Sequence, residues 1–373
     1  MTPFFWNGKV ILILGGTGYL GNKFCETLTE FPEATILSQS KRQQAWQPLP
    51  NKTIIAGDFF DLNWLDILNC WQPDIIFHCL GTNPDAPEAA LKACHLRSTR
   101  LLFEALHQYS GPTNKKPLTV FIGSASEYGL LYPENAAKIT AISELQDCNP
   151  QRSYGKIKRE QTKAVQTLSK QYGIPVVIFR LFNIYGQSPP GLSIARFTQS
   201  LVALKNQEPK NGSIPQLDVM NLNSVRDFIY CDDATRLMLG ACEAIVEQQL
   251  ATKHPGDIYN IGSGTGTALG SVLEGLCGLL GFDWQWRSPL KKQHSTIQFP
   301  AIQSFPTGLI KLPGKQRPLY VQSTGNQDLN ASVADVSKLN SIVPKFELTP
   351  LMTGLEKEVA FWRQHVEETA HLV

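Results

Sequence analysis

The chain is 373 residues long and 42% hydrophobic, enough to bury a large core and to make two domains or one domain with a substantial insertion. Its formal charge of +2 comes from 34 basic and 32 acidic residues mixed along the sequence, so no single-sign field marks it for nucleic acid or a membrane surface. The eight cysteines are scattered, with no C-x-x-C pair and no His/Cys cluster at metal-ligand spacing, so neither a disulfide framework nor a metal site is expected.

At the N-terminus, "MTPFFWNGKVILILGG" has an apolar run that stops at glycines, too short for a signal peptide or a membrane span, and a cytoplasmic protein is expected. Short β-rich runs then alternate with helical patterns: "KVILILG" (9–15), "ATILS" (34–38), "KTIIAG" (52–57), "DIIFHCLG" (74–81), "LTVFIGS" (118–124) and "PVVIFRLFN" (175–183). Fully apolar strands separated by helices predict a parallel sheet covered on both faces, a doubly wound α/β fold. After Tyr185 come "GQSPPGLS", a helix from Ile194, and the polar "KNGSIPQLDVMNLNSVRD". The strand-like "DIYNIGSG" (257–264) returns to complete the sheet. From about 282 to 331 the chain is rich in Pro, Gln, Lys and Ser with weak periodicity and reads as a loop-rich region; "SVADVSKLN" and the helical "TGLEKEVAFWRQHVEE" close it.

Directly after the first strand, "GGTGYLGNKF" places Gly15, Gly18 and Gly21 three apart, ahead of an amphipathic helix. Such glycines permit a tight turn, close approach of a pyrophosphate and close helix–strand packing, while the helix N-terminus offers N–H donors to phosphate. The loop Gly15, Thr17, Gly18, Tyr19, Leu20 and Gly21 is therefore read as a dinucleotide site. An acidic residue for the ribose 2′-OH is usual about twenty residues on. The second strand instead ends "ILSQSKRQ", with Ser38 at that place and Ser40, Lys41 and Arg42 after it. Hydroxyls and cations there could bind a 2′-phosphate, which favours NADP(H) with NAD(H) as the other choice; a solvated loop is the alternative. Asp58, past the third strand, is a candidate for the adenine amino group. The expected division is a Rossmann dinucleotide-binding domain, 1–185 with about 226–262, and a smaller mixed α/β C-terminal substrate domain, about 186–225 with 263–373.

In "RSYGKIKRE" (152–160), Tyr154 and Lys158 are one helical turn apart and so share a face. An ammonium beside a phenol can lower the phenol pKa, although such a pair on its own is more often two neighbours on a solvated surface.

The motifs "GGTGYLG", "GDFFD", "DIIFHCLG", "GSASEYG", "SYGKIK", "RLFNIYG", "SVRDFIYCDDA", "YNIGSG" and "ADVSKL" occur in order along nearly the whole chain. Together they resemble the extended short-chain dehydrogenase/reductases, the NAD(P)-dependent nucleotide-sugar epimerases, dehydratases and reductases. The resemblance implies that Ser124, Tyr154 and Lys158 are catalytic. Tyr154 would exchange a proton with a substrate oxygen, Ser124 would orient that oxygen, and Lys158 would stabilise the tyrosinate and hold the nicotinamide ribose. It also implies cofactor contacts at Leu80 and Gly81, a nucleotide-sugar substrate, and a homodimer. His95 stands where the family has an asparagine that steadies the active-site helix, and is read here as a packed surface histidine.

Where the family's 4,6-dehydratases carry an aspartate and a glutamate after the catalytic Ser/Thr, this chain has Ala125 and Ser126, neither of which is an acid or base. Glu127 is adjacent, at an offset that aims it elsewhere. The subtraction leaves chemistry at one carbon. NADPH-dependent reduction of a nucleotide-linked 4-keto-6-deoxyhexose is expected first and NAD-dependent 4-epimerisation second. Arg226 matches the family arginine for the substrate diphosphate. Asn183 and Ser126 are further substrate candidates, and Arg317 is a second phosphate ligand or an exposed charge. A dinucleotide sensor without turnover would have lost Tyr154, Lys158 or Ser124, and a reductase of a non-sugar ketone fits the Arg226 segment poorly.

Overall fold

Alternate residues of the first strand, β1 (Val10–Leu14), serve two different cores. Ile11 and Ile13 pack with Phe24, Phe77, Val120 and Met238, while Leu12 and Leu14 pack with Leu102, Phe103, Phe121 and Val165. A strand apolar at every position is what a sheet covered on both faces requires. The computed structural model describes residues 2–41, 49–110, 115–187, 191–207, 213–286, 316–323, 328–343 and 346–369.

The other strands are β2 (Thr35–Ser40), β3 (Lys52–Ala56), β4 (Ile75–His78), β5 (Leu118–Ser124), β6 (Val176–Leu181), β7 (Asn183–Tyr185), β8 (Gln216–Val219), β9 (Ser224–Tyr230), β10 (Asp257–Ile261), β11 (Gly266–Ala268), β12 (Phe282–Trp286), β13 (Arg317–Ser323) and β14 (Asn330–Ser332). The helices are α1 (Pro3–Trp6), α2 (Tyr19–Leu28), α3 (Trp64–Trp71), α4 (Glu88–Lys92), α5 (Ser98–Gln108), α6 (Ser153–Tyr172), α7 (Ser193–Asn206), α8 (Cys231–Glu247), α9 (Leu250–Lys253), α10 (Leu269–Leu280), α11 (Ser337–Asn340) and α12 (Leu351–Thr369). A π-helical turn, Ala93–Arg97, joins α4 to α5.

Seven parallel strands form the large sheet in the order β10-β6-β5-β4-β1-β2-β3. Helices α2 and α8 cover one face and α3, α5 and α6 the other, so this is a Rossmann-like α/β fold. The strand order reverses between β1 and β4, and a crevice opens there at the carboxyl ends of the strands. The six strands expected in the first half are all present, and β10 joins β6 as expected.

A second core gathers Ile194 and Leu201 of α7, Leu273 and Leu276 of α10, and Leu355 and Trp362 of α12. It packs beside a small sheet ordered β11-β9-β14, with β7 on β9, and a three-stranded sheet β12-β13-β8. Strands β7 and β9 belong to the small sheet. One of them concerns the region past β11. The 282–331 region, expected to be loop, contributes β12, β13 and β14; residues 287–315 and 324–327 lie outside the described part.

Candidate active site

Gly15 leaves β1 with φ +76, a left-handed conformation that glycine adopts without strain. Its N–H donates to Gln39 Oε1 at 3.1 Å, and Gln39 Nε2 donates on to the Gly57 carbonyl at 2.8 Å. Gly21, in the first turns of α2, lies so close to this bend that a Cβ on it would stand 2.3 Å from the Gly15 carbonyl oxygen. Gly18 is the N-cap of α2, so the orphan N–H groups of that helix open onto the crevice. A dinucleotide pyrophosphate fits this cradle. Leu80 and Gly81 follow β4 across the crevice, half-buried and exposed.

The end of β2 departs from the sequence expectation. Ser38 pairs with Ile13 in the sheet, one step below the glycine turn, and is fully buried. Its hydroxyl lies under Gly16, where a Cβ would meet it at 1.9 Å, so it is not available to a ribose. Ser40, on the same face of β2, has its hydroxyl 2.7 Å from Thr17 Oγ1. Lys41 is bound to Asp58, Nζ to Oδ2, at 2.7 Å, and the ammonium holds the Asp58 carboxyl below its usual range. Arg42 lies outside the described residues. The Tyr19 phenol points away from the loop and donates to the Gly186 carbonyl at 2.6 Å.

Ser124 ends β5 and caps a short 3₁₀ turn, Ala125–Glu127. Its Oγ accepts from the Ser126 N–H at 3.2 Å and the Ser126 hydroxyl at 2.8 Å. Both lone pairs are then used and its own O–H is free to donate. The nearby Tyr154 phenol is drawn toward the phenolate by this hydroxyl, while burial acts more strongly and pushes the phenol up to about 12. The first turn of α6 presses on the serine turn at Gly155, where a Cβ would stand 2.4 Å from the Ser126 carbonyl oxygen.

Lys158, one turn along α6, is buried. Its Nζ donates to the Ile122 carbonyl at 2.6 Å and to Gln161, and Gln161 Nε2 donates to Thr99 Oγ1 at 3.0 Å. Burial brings the ammonium down to about 8, opposed by Glu127, Cys94 and Cys79. Gln39, Gln161 and Thr99 were not singled out from the sequence; a polar side chain inside an otherwise apolar strand or helix face was the available signal.

His95 is not on the surface. It is 2% exposed, its ring meets that of Tyr154 edge-on at 5.8 Å, and neither ring nitrogen has a hydrogen-bond partner. Burial, then Lys158, brings it down to about 2 and keeps it neutral. Glu127 points into the protein, as its offset suggested, and pairs with Arg180.

On the substrate side, Asn183 donates to the Asp227 carbonyl at 3.2 Å. Arg226, on β9, is held by the Val225 carbonyl at 2.8 Å and Asn330 Oδ1 at 2.7 Å, and burial brings its guanidinium down to about 10. Asp227 beside it is fully buried and accepts N–H bonds from Ser263, Gly264 and Ala334, which draws "SVRDF", "YNIGSG" and "SVAD" to one place. Arg317 donates from Nη1 to the Leu204 and Lys205 carbonyls at 2.6 and 3.1 Å and so caps α7. Among the described residues no group of His, Cys, Asp and Glu could hold a metal ion, and no helix is long and apolar enough to cross a membrane.

Residues 11–262 match the NAD dependent epimerase/dehydratase family. Among curated proteins, dTDP-6-deoxy-L-talose 4-dehydrogenase (NAD(P)(+)) of Kitasatospora kifunensis is 25% identical, over 71% of this chain and 77% of that protein. dTDP-L-rhamnose 4-epimerase of Burkholderia thailandensis is 24% identical over 70% and 79%. Among solved structures, UDP-glucuronic acid 4-epimerase from Bacillus cereus, in complex with UDP-glucuronic acid and NAD, superposes with a TM-score of 0.68 at 19% identity, over 95% of this chain and 99% of that one.

Proposed function

The chain belongs to the NAD dependent epimerase/dehydratase family and is an NAD(P)-dependent enzyme of the extended short-chain dehydrogenase/reductase type, and we propose that it reduces carbon 4 of a nucleotide-linked 4-keto-6-deoxyhexose. The observation that carries this reading is the contrast at the end of β5. Ser124 ends β5 near Tyr154, and Lys158 is buried one turn along the same helix as Tyr154, while Ala125 and Ser126 supply no second acid or base and Glu127 is turned into an ion pair. A site so equipped can move one hydride and one proton at a single carbon, but cannot eliminate water across two.

A bound reduced nicotinamide supplies the hydride. The cradle of Gly15, Gly18 and Gly21 holds the pyrophosphate. Ser124 donates its free hydroxyl proton to the substrate oxygen and fixes that oxygen beside Tyr154. Tyr154 gives up its phenolic proton to the same oxygen as negative charge builds there, and Lys158 stabilises the tyrosinate left behind. Arg226 binds the diphosphate with the part of its guanidinium fork not engaged by Asn330.

One observation favours 4-epimerisation on retained NAD as a second reading. Lys41, which was to receive the 2′-phosphate of NADP, is already neutralised by Asp58, whose charge also opposes a phosphate. The contents of the purified protein decide between them. A reductase leaves its cofactor site exchangeable and consumes NADPH mole for mole with the keto sugar. Tightly held NAD, with two nucleotide sugars interconverting and no cofactor added, sinks the reductase and leaves the epimerase.

A further inference from the structure

Glu127 carries a carboxylate with no exposed surface, three residues past Ser124. A buried charge is costly unless it is paired and hydrogen-bonded, so the donors around it say what it is for. Oε1 accepts the Ser124 backbone N–H at 2.9 Å. Oε2 accepts the Thr162 hydroxyl at 2.8 Å and Arg180 Nε at 3.0 Å, with a second guanidinium nitrogen also at 3.0 Å. Thr162 lies one turn beyond Lys158 on the same face of α6. One side chain thus ties the end of β5 to the helix that carries Tyr154 and Lys158, and both to β6.

The tie extends further. Arg180 is 4% exposed and lies over the Tyr128 ring, 4.5 Å from its centroid. The Tyr128 hydroxyl donates to Asn260 Oδ1 at 2.7 Å, and the Asn260 amide donates to the Ile142 and Asp335 carbonyls. The turn is therefore fixed, through Glu127 and Arg180, to β6 and β10. Well-packed apolar residues could fill the same space at similar stability, so stability alone does not account for an ion pair here. A carboxylate adds direction: it takes the Ser124 N–H, and the serine hydroxyl is left to face Tyr154.

We propose that Glu127, held by Arg180, is a positioning residue that sets the Ser124 hydroxyl against the Tyr154 phenol. The proposal rests on the reading of Ser124 and Tyr154 as the pair that handles the substrate oxygen. Glu127 has a second effect through space, since its charge favours the ammonium of Lys158 against burial. The other groups facing Lys158 are the thiols Cys79 and Cys94 and the neutral rings of His78 and His95.

The test is a paired substitution, Glu127→Leu with Arg180→Met, because Glu127→Leu alone strands the Arg180 charge and risks unfolding. The pair should fold, bind dinucleotide within about threefold of the parent, and lose about 10- to 100-fold in kcat, the scale of a small misplacement at a reacting centre. Its alkaline fall in kcat should also move to lower pH, as Lys158 loses the charge that keeps it protonated. Glu127→Gln with Arg180→Met keeps an acceptor for the Ser124 N–H without the charge; it should recover most of kcat and keep the displaced pH profile. A Leu/Met pair with kcat within threefold of the parent and an unmoved profile makes Glu127 a packing residue and overturns the proposal.

Hydrogen exchange at the Ser124 amide in the NAD complex reads the same device without turnover. Protection lost in the Leu/Met pair at an unchanged melting temperature supports it even where the parent turns over no nucleotide sugar, a result that would sink the reaction assigned above instead. Protection retained overturns it.

Discussion

Gly155 and Ser126 are in backbone contact: a Cβ on Gly155 would stand 2.4 Å from the Ser126 carbonyl oxygen, nearer than a carbon and an oxygen can approach. The helix bearing Tyr154 and Lys158 therefore rests on the turn bearing Ser124, with nothing between them. Gly155→Ala would raise helix propensity by about 1 kcal/mol on an isolated helix. Here it should lower kcat about 10- to 100-fold by pushing the two elements apart. Unchanged kcat with a raised melting temperature would show that the contact yields.

Tyr154→Phe keeps the ring and its edge contact with His95 and removes only the proton. Turnover should fall by a factor on the order of 10² or more, with dinucleotide affinity nearly intact. Turnover within tenfold of the parent rules Tyr154 out as the acid.

The glycine turn and the helix that spaces Tyr154 and Lys158 one turn apart were legible in the sequence because each is local, a matter of one turn of chain. What was not legible depended on depth or distance. Ser38 and Ser40 sit on the same face of β2, and only the register against β1 shows that Ser38 lies level with Ile13, beneath the turn. His95 was misplaced because its burial comes from the packing of the π-helical turn Ala93–Arg97 against Tyr154 of α6, a contact between segments far apart in the chain. Arg317 meets the end of α7 more than a hundred residues away, and β13 pairs with β8 across a similar gap, which no local pattern encodes.

Acid should destabilise the fold through two histidines. His78 is brought down to about 3 and His95 to about 2, chiefly by burial, whereas both titrate near 6.5 in an unfolded chain. Between those limits the unfolded state binds more protons, so stability is present above pH 6.5 and is lost as pH falls, by up to about 1.4 kcal/mol per pH unit for each ring. Melting temperatures at pH 7.5 and 5 should diverge less in His95→Leu than in the parent. Equal divergence would contradict a neutral buried His95.

Cofactor choice should answer to Asp58. Asp58→Asn frees Lys41 and removes the negative charge beside it. The ratio of kcat/KM for NADPH over NADH should rise roughly three- to fivefold, the scale of an exposed ion pair. A ratio that stays put would place the 2′-phosphate away from Lys41.

Hydride transfer at carbon 4 is tested most directly with NADPH deuterated at both nicotinamide C4 positions, mixed with the enzyme and a nucleotide-linked 4-keto-6-deoxyhexose, and the product sugar examined by NMR. The account predicts one deuterium per sugar, at carbon 4, and none in the product of Tyr154→Phe over the same time. Deuterium at another carbon, or a sugar converted while the label stays wholly in NADPH, would contradict it.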